Sequence, residues 1–364
     1  MNRCRICVIP DTRPDTPFVD GVCSACRSYA ARPSIDWGIR KAALESLLGH
    51  ARQRGAQFDV VVPSSGGKDS TYQAITLKEM GARVLAVTAS TCHLTPIGRK
   101  NLDNLARHVT TIEVTPNRTV RAKLNRIGLE TVGDVSWPEH AAIFSVPFRV
   151  AVAMGIPLVM YGECPQNQYG GPPGTTEART MSRRWVSEFG GFLGLRTGDL
   201  IGRDGITEQD LQDYRLPEDM GQTEAHFLGA YLPWDSDRNV DVAVANGLLA
   251  HSPSRANFWP GENLDNAQTG LHDHLMYRKY GYGRMAAQVS VDIRKGVLRR
   301  ERAMTMLREC DGLFPYAYAG ITIGAVLDQI GMTMPQLDAI LDRFTNRALF
   351  DGEQDRRPIL KEFA

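Results

Sequence analysis

The sequence predicts an α/β fold with a doubly wound parallel sheet, and three observations predict it. From Phe58 to Tyr161, short apolar runs alternate with stretches of helical periodicity. A Cys-rich segment, residues 1–30, precedes them, and from about Asp265 the pattern is helical to the end. Strands separated by helix-length segments form parallel βαβ units, because a parallel neighbour needs a long crossover. Three regions are expected: residues 1–33, 34–235 and 236–364.

Asp36–Arg54 reads as a helix with Trp37, Leu44, Leu47 and Leu48 on one face. Phe58–Pro63 is the first strand and Lys68–Met80 the helix after it. Val84–Ala89 is the second strand, followed by a helix near Gly98–Arg107; Val109–Val114 is the third. Helices around Val120–Leu129 and His140–Met154 lead to a fourth strand, Pro157–Tyr161, and His226–Leu232 is a candidate fifth. Residues 163–205, rich in Gly, Pro and Thr, read as a long loop near a site. The last region carries helical patterns in LHDHLMYRKYGYGRMAAQ, VLRRERAMTMLREC, IGAVLDQIG and MPQLDAILDRF.

The 364 residues are 43% apolar, enough for a sizeable core. Lys and Arg number 42 against 41 acidic residues, a net charge of +1, so the basic footprint of a nucleic-acid partner is missing. The opening MNRCRICVIP has no signal-peptide core, and no apolar run approaches membrane-spanning length, so the expected location is the cytoplasm. Four of the seven cysteines fall in the first 26 residues, which fits metal binding in a reducing compartment better than disulfides.

The strongest motif is PSSGGKDST, Pro63–Thr71, which leaves an apolar strand and opens a helix. Gly66 and Gly67 let the backbone turn and bring N–H groups near an anion. The helix N-terminus adds partial positive charge and Lys68 a full one. Ser65 and Ser70 can donate hydroxyl hydrogen bonds, and Asp69 can hold Mg²⁺ on the phosphates. The bland reading is an ordinary Ser/Gly-rich turn. Walker A is excluded, because Lys68 is followed by Asp69 rather than Ser or Thr.

Cys4-x2-Cys7 and Cys23-x2-Cys26 have the spacing of a four-Cys zinc site, which has no open position and is structural. Ligands of parallel sheets bind at the carboxyl ends of strands. That places Thr88 and Ala89, at the end of the second strand, as candidate nucleotide contacts. Glu163, at the end of the fourth, is a candidate to hold Mg²⁺ or orient an attacking amine, or else a plain cap or solvent contact. Cys92 and Cys164 stand near the same edge, either as a sulfur-relay pair or as small buried residues; Cys310 reads as core.

The Pro63–Thr71 motif resembles the SGGxDS loop of the PP-loop ATP pyrophosphatases, which grips the departing β,γ-diphosphate while the α-phosphate is the electrophile. Across nearly the whole chain, the order of features is similar to the N-acetyl sugar amidotransferases of surface-polysaccharide and nonulosonic acid biosynthesis. The carriers are the two Cys pairs, PSSGGKDST, YGE at 161–163, GYGR at Gly281–Arg284 and SVDIRKG at Ser290–Gly296 within the block Glu262–Gly296. The resemblance implies ATP, Mg²⁺ and Zn²⁺ as cofactors. Its chemistry would be attack of an N-acetyl oxygen on ATP, then displacement of AMP by ammonia to give an acetamidino sugar. Arg284 and Arg294 become candidate contacts to a phosphate or sugar carboxylate, the alternative being surface ion pairs. With no glutaminase motif in the chain, ammonia is expected from separate subunits similar to the glutaminase–cyclase pair of histidine biosynthesis. The rival expectation is a PP-loop sulfurtransferase acting on tRNA or a small molecule through Cys92 and Cys164.

Overall fold

The computed structural model describes residues 1–163, 165–172 and 179–364. At the N-terminus, β1 (Phe18–Val19) and β2 (Val22–Cys23) form an antiparallel hairpin that runs into α1 (Ser24–Ala31). This unit does not stand alone. Its cysteines share one buried cluster with Tyr282, Met285, Val289 and Leu307, far along the chain.

α2 (Trp37–Gln53) starts at Asp36, whose side chain accepts from Ile39 N–H, and buries Leu44, Leu48 and Ala51 in the main core. The chain then builds β3 (Val60–Pro63), α3 (Lys68–Glu79), β4 (Val84–Ala89), α4 (Pro96–Leu105) and β5 (Thr110–Val114). α5 (Arg118–Val132) and α6 (Trp137–Ala153) lead to β6 (Leu158–Tyr161). α7 (Pro165–Tyr169) and α8 (Arg183–Phe189) come before β7 (Glu224–Phe227). The five strands pair in the order β5-β4-β3-β6-β7, all parallel. With crossovers of the usual right hand, α3 and α4 lie on one face and α5 and α6 on the other, which is double winding. Val60, Val61 and Val62 of the central strand are fully buried, which explains their unbroken apolar run.

Several element ends differ from expectation for local reasons. The first strand starts at Val60, and Asp59 just before it pairs with Arg83, carboxylate to guanidinium at 2.5 Å. The fifth strand begins at Glu224 and stops at Phe227, where Leu228–Ala230 tighten into a 3₁₀ turn. The 163–205 stretch carries α7 and α8 rather than plain loop; Cys164 and residues 173–178 lie outside the described residues.

In the last third, α9 (Ser236–Ala245) lies against α3. α10 (Thr269–Tyr280), α11 (Arg284–Lys295), α12 (Arg300–Cys310), α13 (Ile323–Ile330) and α14 (Met334–Phe344) follow. Leu271, Leu275, Leu327 and Leu337 build a second core that includes Leu129 of α5 and Val135 just beyond it. Among the described residues no helix is long and apolar enough to cross a membrane.

Candidate active site

β4 leaves β3 toward one edge of the sheet and β7 leaves β6 toward the other, so the strand order reverses between β3 and β6. At such a reversal the two outgoing loops diverge and open a crevice at the carboxyl ends of the strands. Here the loops are Ser64–Gly67 and Gly162–Glu163. Gly66 sits at φ +75°, and a Cβ there would lie 2.9 Å from the Leu102 backbone nitrogen, so the turn requires glycine. Ser64 Oγ accepts from Gly66 N–H at 3.1 Å and fixes the loop. No side chain caps α3, which leaves its first N–H groups to an anion from outside.

A cavity of about 270 Å³ fills the crevice. Ser65, Gly67, Lys68, Asp69 and Ser70 line it from the loop and α3. Glu163 closes it from β6, while Glu262 and Asp265 reach in from the last third of the chain. Lys68 is 4% exposed, with Nζ 2.5 Å from Asp69 Oδ2 and 2.9 Å from Glu262 Oε2. Burial pulls its pKa down, but the two carboxylates outweigh burial and hold it well above the usual lysine value. Burial likewise pushes Glu262 up, and Lys68 with Arg284 overcomes it, leaving that carboxyl below its ordinary range. Asp69 Oδ1 accepts from Asn239 Nδ2 at 2.8 Å, so α9 sets the orientation of the carboxylate.

Three buried polar atoms on the cavity wall have no hydrogen-bond partner among the described residues: Gln73 Oε1, Thr91 Oγ1 and Asn263 Nδ2. Orphaned groups of this kind cost about 1–3 kcal/mol each, and a polar ligand would satisfy them.

Glu163 is half-buried, and burial, followed by the neighbouring Asp69 charge, pushes it up to about 7. A folded-state proton is thus retained that the unfolded chain gives up at its ordinary value of 4.5. Stability must fall as pH rises between those two values. Glu163→Gln removes the cost, so its melting temperature should exceed that of the parent at about pH 8 and match it at about pH 4. Equal offsets at both pH values would contradict the assignment.

A second, larger cavity of about 570 Å³ also reaches Glu163. Its wall includes Arg27, Arg32, Arg40, Arg179, Trp37 and Trp234. Arg32 Nη2 donates to Gln168 Oε1 at 3.0 Å and Arg40 Nη1 to the Ala230 carbonyl at 2.8 Å.

The remaining residues singled out in the sequence fall elsewhere or in part. Ala89 lines the crevice cavity together with Val87. Thr88, pointing the opposite way on the same strand, is buried outside the lining. Arg284 is gripped by Asp273, Nη2 to Oδ1 at 2.8 Å, and lines a separate cavity of about 190 Å³ with His274 and Tyr318. Arg294 Nη2 donates to the Gln168 carbonyl at 2.7 Å, tying α7 to α11. Cys92 is 8% exposed, and burial, then Glu139, pushes its thiol up to about 11. Glu262, Asp265 and Asn239 carried no assigned role in the sequence, since they stand some 170–200 residues from the loop they meet.

The four N-terminal cysteines form a closed set. Cys4 Sγ lies 3.8 Å from Cys26 Sγ, Cys7 Sγ lies 3.7 Å from Cys23 Sγ, and all four sulfurs are within 4.8 Å of one another. Thiolates at about 2.3 Å around a tetrahedral zinc stand about 3.8 Å apart, whereas a disulfide needs about 2.05 Å. The cluster is buried and can hold zinc with no position left for substrate.

No curated protein matches the chain. Residues 254–362, the stretch that carries Glu262, Asn263 and Asp265 into the crevice, match the C-terminal domain of WbpG-like lipopolysaccharide biosynthesis proteins, in agreement with the surface-polysaccharide family that the motifs resemble.

Proposed function

We propose that the chain is an AMP-forming amidotransferase that converts the N-acetyl group of a sugar into an acetamidino group. One observation carries the reading. A glycine-turned SSGGKDS loop at the reversal of a parallel sheet presents a buried lysine, uncapped helix N–H groups and convergent carboxylates to a cavity with orphaned polar walls.

The carboxylates of Asp69 and Glu163 are hard oxygen donors of the kind Mg²⁺ takes, and bound Mg²⁺ would offset charge on the departing diphosphate. Lys68 and the N–H groups of α3 stabilise the same developing charge. The acetamido oxygen attacks the α-phosphorus of ATP and the bond to diphosphate breaks. Ammonia then adds to the activated carbon, AMP leaves with the former amide oxygen, and a proton is released. The larger cavity beyond Glu163, rich in arginine and tryptophan, is the side from which a bulky anionic acceptor such as a nucleotide-linked or acidic sugar would enter.

The test is direct. With ATP, Mg²⁺, ammonium and an N-acetyl sugar labelled with ¹⁸O in the amide, the chain should release diphosphate and AMP, and the label should appear in AMP. ADP with inorganic phosphate, or unlabelled AMP, overturns the reading. Ammonium should support turnover by the chain alone while glutamine does not, because the nitrogen would come from a separate glutaminase. The surroundings of Cys92 disfavour sulfur relay, since burial and Glu139 outweigh the pull of Arg121 and Arg118 and raise the thiol to about 11, where it is a weak nucleophile.

A further inference from the structure

Away from the crevice, two neighbouring side chains, Asp134 and His140, meet a third from far along the chain, His272. Asp134 follows Gly133, the left-handed residue that ends α5, and is 2% exposed. His140 stands on the first turns of α6 and His272 on the first turn of α10. His272 Nδ1 lies 2.8 Å from Asp134 Oδ1, and His140 Nδ1 lies 3.3 Å from Asp134 Oδ2. All three ligand atoms fall within 4.8 Å of one another.

The two imidazoles meet edge to face, with centroids 5.2 Å apart, and aim the same ring nitrogen at one carboxylate. Asp134 Oδ1 also accepts from Ser136 N–H at 2.8 Å, which locks the carboxylate in place. His140 Nδ1 is buried yet makes no aligned hydrogen bond, despite the carboxylate 3.3 Å away. Gly191 packs beside that nitrogen without a side chain, since a Cβ there would come within 2.9 Å of it. The imidazoles themselves are 26% and 23% exposed, so the cluster has a route from solvent.

We infer that Asp134, His140 and His272 form a second metal site, for a borderline divalent ion such as Zn²⁺, that ties α10 to α6. Two imidazoles and a carboxylate are the donor set for such ions, and donors at about 2.0–2.1 Å from a tetrahedral centre stand about 3.3 Å apart. The separations observed bracket that value, so small ring movements complete the site. Three protein ligands leave a position open to water on the exposed side, unlike the closed four-cysteine cluster. Because α10 begins just after Glu262 and Asp265, the ion would brace the segment that closes the crevice.

The test uses the full chain, its cysteine cluster already loaded with zinc, titrated with Co²⁺. One equivalent should bind with the weak visible bands of nitrogen and oxygen ligation and no thiolate charge-transfer band, and the melting temperature should rise. Both signals should vanish in His140→Gln/His272→Gln. Asp134→Asn, which keeps the bond from Ser136 N–H but removes the charge, should weaken Co²⁺ binding at least tenfold and serves if the double variant does not fold. Absence of a second equivalent in the parent chain, or binding unchanged in these variants, overturns the site; a pure His–Asp–His hydrogen-bonded cluster would give the first of these results.

Discussion

Lys68→Met is expected to slow diphosphate release by about 10²–10³-fold, the usual loss when one preorganised charge donor is removed. The ammonium group it deletes is 4% exposed and sits between Asp69 and Glu262 at 2.5 and 2.9 Å. Removing it leaves two carboxylates facing each other without their shared cation, with Arg284 remaining near Glu262 alone, at a cost of about 3–5 kcal/mol in stability. Slow turnover could then reflect a loosened crevice rather than missing transition-state charge. The double variant Lys68→Met/Glu262→Gln separates the two, because it restores the local charge balance without restoring the cation. Its melting temperature should recover most of the loss, while diphosphate release stays as slow as in the single variant. Recovery of both would make Lys68 a structural ion-pair partner and nothing more.

That pair of carboxylates also shows where sequence reading reached its limit. The loop itself was legible because its signals are local: an apolar strand, two glycines, a lysine and a helix start stand within ten residues. The strands themselves were legible as well, since Val60–Val62 and Val84–Val87 are apolar runs buried on both faces. Glu262 was visible only as part of a distinctive block. Nothing in its neighbourhood says that it meets Lys68, because that contact arises from the way the segment before α10 folds over the sheet.

Thr88 and Ala89 show the same limit at finer scale. Both stand at the right strand end, but the two-residue alternation of a strand turns Ala89 toward the cavity and Thr88 away. Arg284 was expected either to contact a phosphate or sugar carboxylate or to form a surface ion pair, and its partner in the fold is Asp273, one helix earlier, which no local signal marked. The Asp134, His140 and His272 cluster had no sequence signature at all. Metal motifs are recognised by short fixed spacings, and this one spans two structural regions.

Loss of a metal held by the four N-terminal cysteines should be felt far beyond the first thirty residues. Cys23→Ser is expected to remove one zinc per chain and to lower the melting temperature by roughly 10 °C or more, since metal binding free energy in small thiolate sites is folding free energy. The cluster's sulfurs are packed in one buried group with Tyr282, Met285, Ala286 and Val289 at the start of α11 and Ala303 and Leu307 of α12. Arg300 Nη2 also donates to the Cys4 carbonyl, and Arg3 pairs with Glu362 near the chain end. Unfolding of residues 1–30 would therefore strip a shared core from α11 and α12 instead of releasing a tethered appendage. Hydrogen exchange should register this as lost protection in Met285–Val291 and Ala303–Leu307, with β3 and β4 unaffected because their core is a separate cluster. A variant that lost zinc but kept full protection in both helices would show the N-terminal unit to be energetically independent, and its sharing of a core with α11 and α12 would count for little in stability.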